Sequence, residues 1–249
     1  MAFAVNGTAI LLRKTSPNSR ICEFPQKGYF RIAKAMVIKM KREDKNALSR
    51  QRILDAAMQE FSAKGYEGAS LNTVWAEKGI SKGAIYHYFK DKDEIYLLCV
   101  GQCFAALTAY LAEAAKALTG TAAERLRGYF DARLRFFVEN PLYLGIFSDA
   151  AFQPPMAVSS AIAECRSAFD ALNISVLTGL LHSEPLREEL CVEAIVEDFR
   201  VYMDFFNLRF KAAPGEERST ERALREHEER CHRQIDILLH GVLGEKHGK

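Results

Sequence analysis

The sequence has no unbroken apolar run close to the roughly 20 residues that a membrane-crossing helix needs, which predicts a chain with no membrane partner. It also has no C-x-x-C pair. Its six cysteines (Cys22, Cys99, Cys103, Cys165, Cys191 and Cys231) are scattered, which excludes a small disulfide scaffold and predicts reduced thiols in a cytoplasmic protein, most of them buried as small hydrophobes. A Gly-rich phosphate loop and a G-x-S-x-G elbow are both missing, so no enzyme is expected. The nearest acid/base pairing is His182 with Glu184, and its place beside Pro185 reads as a helix end. His227 and Cys231 share a helix face with His232 next in line, but Glu228, Glu229 and Arg230 around them read as a solvated surface; no metal and no cofactor are expected. Net charge is scarce too, at +2, so no global argument for nucleic acid follows from it.

What matters is where the positive charge lies. Between Lys39 and Arg52 the cations Lys39, Lys41, Arg42, Lys45, Arg50 and Arg52 face only Glu43 and Asp44, so a basic arm precedes the first patterned segment. With 49% hydrophobic and 27% charged residues, the chain has material for a folded core.

Residues 1 to about 38 carry Gly7, Pro17, Pro25 and Gly28 and no lasting periodicity. MAFAVNGTAILL lacks the basic start and small-residue cleavage pattern of a signal peptide. A flexible extension is expected, or translation from Met36 or Met40, so that residues 1–45 form an extension with a basic arm.

From Ala47 the pattern changes. Ile53, Leu54, Ala57, Met58 and Phe61 fall at three- and four-residue steps and predict an amphipathic helix that Gly65 ends. Ser70 is a candidate cap for a second helix with Leu71, Val74 and Trp75 on its apolar side; Gly79 breaks it. Ile80 fills the turn, Ser81 caps a third helix from Lys82 to Phe89, and Ile85 and Phe89 turn inward.

This is a helix-turn-helix, and the residues left outward on its second helix suit DNA. Gly83 and Ala84 let backbone approach base edges, and Lys82 reaches a guanine or a phosphate. Tyr86, Tyr88 and Lys90 donate to phosphate oxygens; His87 either faces DNA or is simply exposed. A basic arm nearby adds counterion release.

The run Phe61-x-x-x-Gly65-Tyr66, Ser70 with Val74, and Gly79-Ile80-Ser81-Lys82-Gly83-Ala84-Ile85-Tyr86-His87-Tyr88-Phe89-Lys90-Asp91-Lys92 with Ile95 beyond resembles the DNA-binding domain of the TetR/AcrR family of bacterial transcriptional regulators. The resemblance covers Arg50 to Val100. It implies an all-helical homodimer, usually a repressor, that leaves a double-stranded DNA operator when a small molecule enters its C-terminal domain. An adaptor or activator of the same fold without an effector is the alternative. By resemblance, Asn72 and Thr73 join Lys82, Gly83, Ala84, Tyr86, His87 and Tyr88 as DNA contacts, and Lys92 matches a phosphate contact; Ser70 and Ser81 complete the candidate interface. Trp75 and Lys78 stand where the family has small residues, so the indole needs space and the lysine must reach outward.

The rest reads as all-α: a DNA-binding domain at 46–96, then a larger helical effector and dimerisation domain at 97–245. Helices are expected over Lys92–Leu118, from a Thr121 cap to Asn140, over Pro141–Phe152, Met156–Leu181, Leu186–Lys211 and Glu216–Leu243. In the last, Leu224, Cys231, Ile235, Leu238 and Val242 form a stripe. The final two helices, doubled by a two-fold axis, would make a four-helix interface. Aromatics such as Phe104, Tyr129, Phe147 and Phe169 suit the walls of an apolar pocket, with Tyr110 or Tyr143 to orient its ligand.

Overall fold

The computed structural model describes the backbone of residues 26–77, 79–152, 154–211 and 220–242, and most side chains from Asn46 onward. The expectations for residues 1–25 and for Lys78 lie outside the described residues. The chain divides into two compact units, Met1–Leu48 and Ser49–Lys249.

Every regular element among the described residues is helical: α1 (Gln26–Gly68), α2 (Leu71–Glu77), α3 (Lys82–Tyr88), α4 (Lys92–Lys116), α5 (Ala122–Glu139), α6 (Pro141–Phe152), a 3-10 turn (Met156–Val158), α7 (Ser159–Leu181), α8 (Val192–Lys211) and α9 (Thr220–Val242). The first helix begins at Gln26, well ahead of the expected Ala47, so residues 26–45 are helical where an unstructured extension was expected. Ala33, Lys34, Ala35, Met36, Met40, Lys41 and Arg42 are strong helix formers, and no glycine or proline interrupts them. Propensity rather than apolar periodicity makes this part of the helix.

The core of the second unit begins on α1 with the expected Ile53, Leu54, Ala57, Met58 and Phe61, all buried, and runs without a break through Trp75, Ile85 and Phe89 into α4, α5, α6 and α7. The indole is accommodated: Trp75 is 5% exposed, and beside it Ile85, Phe89 and Ile95 line a groove of about 300 Å³. α4 is the spine of this core. Its 25 residues have the length and composition of a spanning helix, with a mean hydropathy of 1.8 over its most apolar stretch. That corrects the reading that no such segment exists. Tyr96, Cys99, Val100, Cys103, Phe104, Leu107 and Leu111 are all buried, as befits the central helix of a folded protein. The boundary expected after residue 96 therefore falls inside one continuous helix.

Caps mark the helix starts. Asp91 accepts from the Glu94 N–H to begin α4, and Thr121 forms a full capping box with Glu124 to begin α5, as its sequence predicts. Glu184 accepts from the Ala122 N–H at 3.1 Å, so the acid beside His182 helps close the start of α5. A second apolar cluster joins Leu126 and Phe130 of α5, Leu180 and Leu181 of α7, Val192 and Ile195 of α8, and Cys231 and Leu239 of α9. Cys231 is thus buried on the apolar stripe expected for it, and Leu238 packs half-buried against the same cluster beside the buried Leu239.

Candidate nucleic-acid interface

Two glycines shape the reading head. Gly65, at φ 67° and ψ 179°, occupies a backbone region essentially closed to side chains, and turns the chain out of the long helix. Gly79, at φ 64°, makes the turn between α2 and α3, and the Ile80 N–H closes it onto the Trp75 carbonyl at 2.9 Å.

Around the first turn the side chains interlock. The Tyr66 N–H donates to Asp149 Oδ2 at 2.9 Å and its hydroxyl to Asp93 Oδ1 at 2.5 Å. The Ser70 N–H donates to Glu60 Oε1 at 2.9 Å. A hydrogen bond from Lys64, followed by that N–H, holds the Glu60 carboxyl below its ordinary range. Lys92, expected at a phosphate, donates its ammonium to the Ala69 carbonyl at 3.0 Å and lies 4.6 Å from the Tyr66 ring centroid, where it braces the turn.

The Asp93 hydrogen bond, more than burial, pushes Tyr66 up to about 12; burial pushes Tyr129 up to about 12, and burial with the Asp149 bond raises Tyr96 above the ordinary tyrosine value. The fold thus favours neutral phenols. The contribution of Tyr66 and Tyr129 to stability is complete below the unfolded value of about 10 and is lost as pH rises through about 12. Urea midpoints should fall from about pH 10 upward, and Tyr66→Phe should flatten that fall; a flat profile to pH 12 in the parent chain would contradict these environments.

On α3, Ile85 is 3% and Phe89 2% exposed, so both inward anchors lie where the spacing put them. The Arg50 guanidinium sits 5.0 Å from the Phe89 ring centroid. On the other side Ser81, Lys82, Gly83, His87 and Lys90 are exposed, and Tyr86 is 61% exposed with the Lys82 ammonium 5.9 Å from its ring centroid. Tyr88 is half-buried, and its ring meets His87 edge-on at 4.9 Å. Ser70 and Asn72 are exposed at the start of α2; the side chains of Thr73 and Ala84 lie outside the described residues. A Cβ added at Gly83 would meet nothing within 4 Å. Nothing in this chain demands glycine there.

A cavity of about 470 Å³ lies between α4, α5, α6, α7 and α8. Phe104, Phe147, Phe152 and Phe169 form much of its wall, and its polar side chains include Tyr129, Arg133, Arg166, Asp170 and Asn173. Tyr110 and Tyr143 do not orient it: Tyr143 stacks on Phe136 at 5.9 Å, and Tyr110 packs on the same ring at 5.4 Å. The sequence reading passed over Arg133, although Tyr129, Phe130, Phe136 and Phe137, three or four residues to either side, place it on the aromatic face of α5.

Residues 53–99, from the first core position of α1 through the helix-turn-helix into α4, match the family of bacterial regulatory proteins named tetR. Over these residues the chain is similar to the TetR family. This is a family of regulators rather than enzymes. The transcriptional repressor AcnR of Corynebacterium glutamicum is 37% identical over 70 residues, 28% of this chain and 37% of that protein. The biofilm operon negative regulator IcaR of Staphylococcus epidermidis is 36% identical over 55 residues, 22% of this chain and 30% of that protein. Such matches span well under half of the curated relatives. Fold likeness extends further: a TetR regulator of Chloroflexus aurantiacus superposes with TM-score 0.56 at 16% identity, over 81% of this chain and 100% of that one. FadR of Bacillus subtilis, solved with stearoyl-CoA, superposes with TM-score 0.54 at 18% identity, over 72% of this chain and 96% of that one.

Proposed function

We propose that this chain is a regulator of the TetR family, a cytoplasmic, homodimeric repressor of transcription that binds a near-palindromic operator and leaves it when a small molecule fills the cavity. The carrying observation is the outer side of α3, where Lys82, Tyr86 and His87 are exposed around a glycine with open space over it while Ile85 and Phe89 fix the helix from behind. Such a surface lets backbone and short side chains reach base edges while the phenol and ammonium groups meet phosphates. Dimerisation is supported by apolar side chains left outside on the last two helices, Val201 at 55% and Ile237 at 60% exposure. The cavity supports an effector over the alternative of an effector-independent adaptor or activator, and a screen of metabolites for operator release separates the two.

The test is selection of bound duplexes from a random pool. Enriched sequences should show two-fold symmetry, with half-sites about 34–36 Å apart or a multiple of that. Affinity for the selected duplex should fall linearly with salt on a log–log plot. Failure to enrich any symmetric sequence would overturn the reading.

A further inference from the structure

The cavity is walled mainly by carbon, and the charged side chains along it are engaged within the protein. Arg166 grips Asp170 on both carboxylate oxygens, through Nε at 2.9 Å and Nη2 at 3.0 Å. Arg200 grips Glu197 in the same way, at 3.0 and 2.7 Å. Arg133 holds its guanidinium carbon 4.5 Å from the Phe130 ring centroid and is likewise engaged. An ionised ligand would have to compete with these partners or leave its charge uncompensated among aromatic rings, and the second course is costly.

What the wall offers instead is a neutral polar pair. Tyr129 on α5 is 2% exposed, and its hydroxyl donates to Asn173 Oδ1 on α7 at 2.8 Å; both residues line the cavity. Burial pushes the phenol up to about 12, so the pair carries no charge at neutral pH. The bond uses the carboxamide oxygen of the half-buried Asn173 and leaves its Nδ2 group, with two N–H donors, at the wall. Phe104, Phe147, Phe152 and Phe169 supply apolar surface in the same cavity.

We propose that the ligand of this cavity is an uncharged amphipathic compound, an alkyl or aryl body carrying one carbonyl group, with the body among the phenylalanines and the carbonyl oxygen on Asn173 Nδ2. The proposal rests on the reading of the cavity as an effector site. An amide N–H and a carbonyl oxygen make a neutral hydrogen bond of modest net strength, so the polar end orients the ligand while burial of its body contributes most of the affinity. The volume of about 470 Å³ lies within the range of pockets that enclose small organic ligands.

The test is calorimetric titration of the full chain with matched probes: 4-phenylbutan-2-one, butylbenzene, 4-phenylbutyrate and 4-phenylbutylamine. The ketone should bind roughly three-fold or more tightly than butylbenzene, as expected for one neutral hydrogen bond. It should bind roughly ten-fold or more tightly than either ion, which must shed its water without a counter-charge. Asn173→Asp keeps an acceptor for the Tyr129 hydroxyl but has no N–H to give, so it should erase the advantage of the ketone over butylbenzene. Equal binding of ketone and butylbenzene by the parent chain overturns the proposal without any variant having to fold, and so does an ion that binds as tightly as the ketone. So does no binding of the ketone, or an undiminished advantage of the ketone in a folded Asn173→Asp. Adding the same compounds to the operator complex separates this proposal from the reading beneath it. Ketone that binds yet leaves the complex intact sinks the effector role and keeps the site, whereas release by either ion as readily as by the ketone keeps the effector role and sinks the uncharged ligand.

Discussion

Replacing Lys82 and Tyr86 together by alanine should reduce operator affinity by roughly a hundred-fold or more, since each well-placed contact to DNA contributes about 1–3 kcal/mol. Both side chains are exposed on the outer side of α3, and neither supports the core that Ile85 and Phe89 anchor. The fold should therefore be left intact, with a thermal midpoint close to that of the parent, as is usual for surface substitutions. The Lys82 ammonium lies 5.9 Å from the Tyr86 ring centroid, so the two single variants should not add: removing the ring frees the lysine as well as deleting a phenol. Fluorescence anisotropy with the selected duplex measures all four proteins. Parent affinity in the double variant would overturn the assignment of this surface to DNA.

The head was legible because its chemistry is local. Three- and four-residue steps identify Ile85 and Phe89 as inward, and the same steps leave Lys82 and Tyr86 outward; burial and exposure follow that division. The Thr121 cap was legible for the same reason, since a hydroxyl three residues before a glutamate satisfies two orphan N–H groups without distant help. What was not legible depends on distant partners. Helix α8 starts at Val192 rather than Leu186, because Arg187 donates to the Gly241 carbonyl and pairs with Glu189 while the Leu190 N–H turns back to the Arg187 carbonyl. Lys92 could be placed at the start of a helix from sequence, but its turn onto the Ala69 carbonyl needs the α1–α2 loop beside it. Arg133 had a local signal in its aromatic neighbours; the cavity it lines is assembled from five helices and had none.

Asp149 is the distant partner with the largest consequence. This carboxylate on α6 accepts from the Tyr66 N–H at 2.9 Å and from the Tyr96 hydroxyl at 2.6 Å, and Tyr96 is fully buried. Asp149→Ala leaves both donors without that acceptor, each at a cost of about 1–3 kcal/mol, so a loss of roughly 2–5 kcal/mol in urea unfolding is expected. Gly65→Ala should be comparably damaging for two separable reasons. Its backbone region is essentially glycine-only, which costs on the order of 1–3 kcal/mol, and its Cβ would fall 2.6 Å from Asp149 Oδ1. Relief would have to open the close packing of α6 on α1, where Gly145 lies so near the Ser62 carbonyl that a Cβ there would overlap it, or displace the Asp149 carboxylate from its two tyrosine donors. Removing the carboxylate removes the clash and leaves only the backbone cost. The double variant should thus be more stable than the sum of the single losses allows, by on the order of 1 kcal/mol or more. Strictly additive losses would mean that Gly65 is required by its dihedral angles alone and that the α6 carboxylate does not confine the turn leading into the reading head.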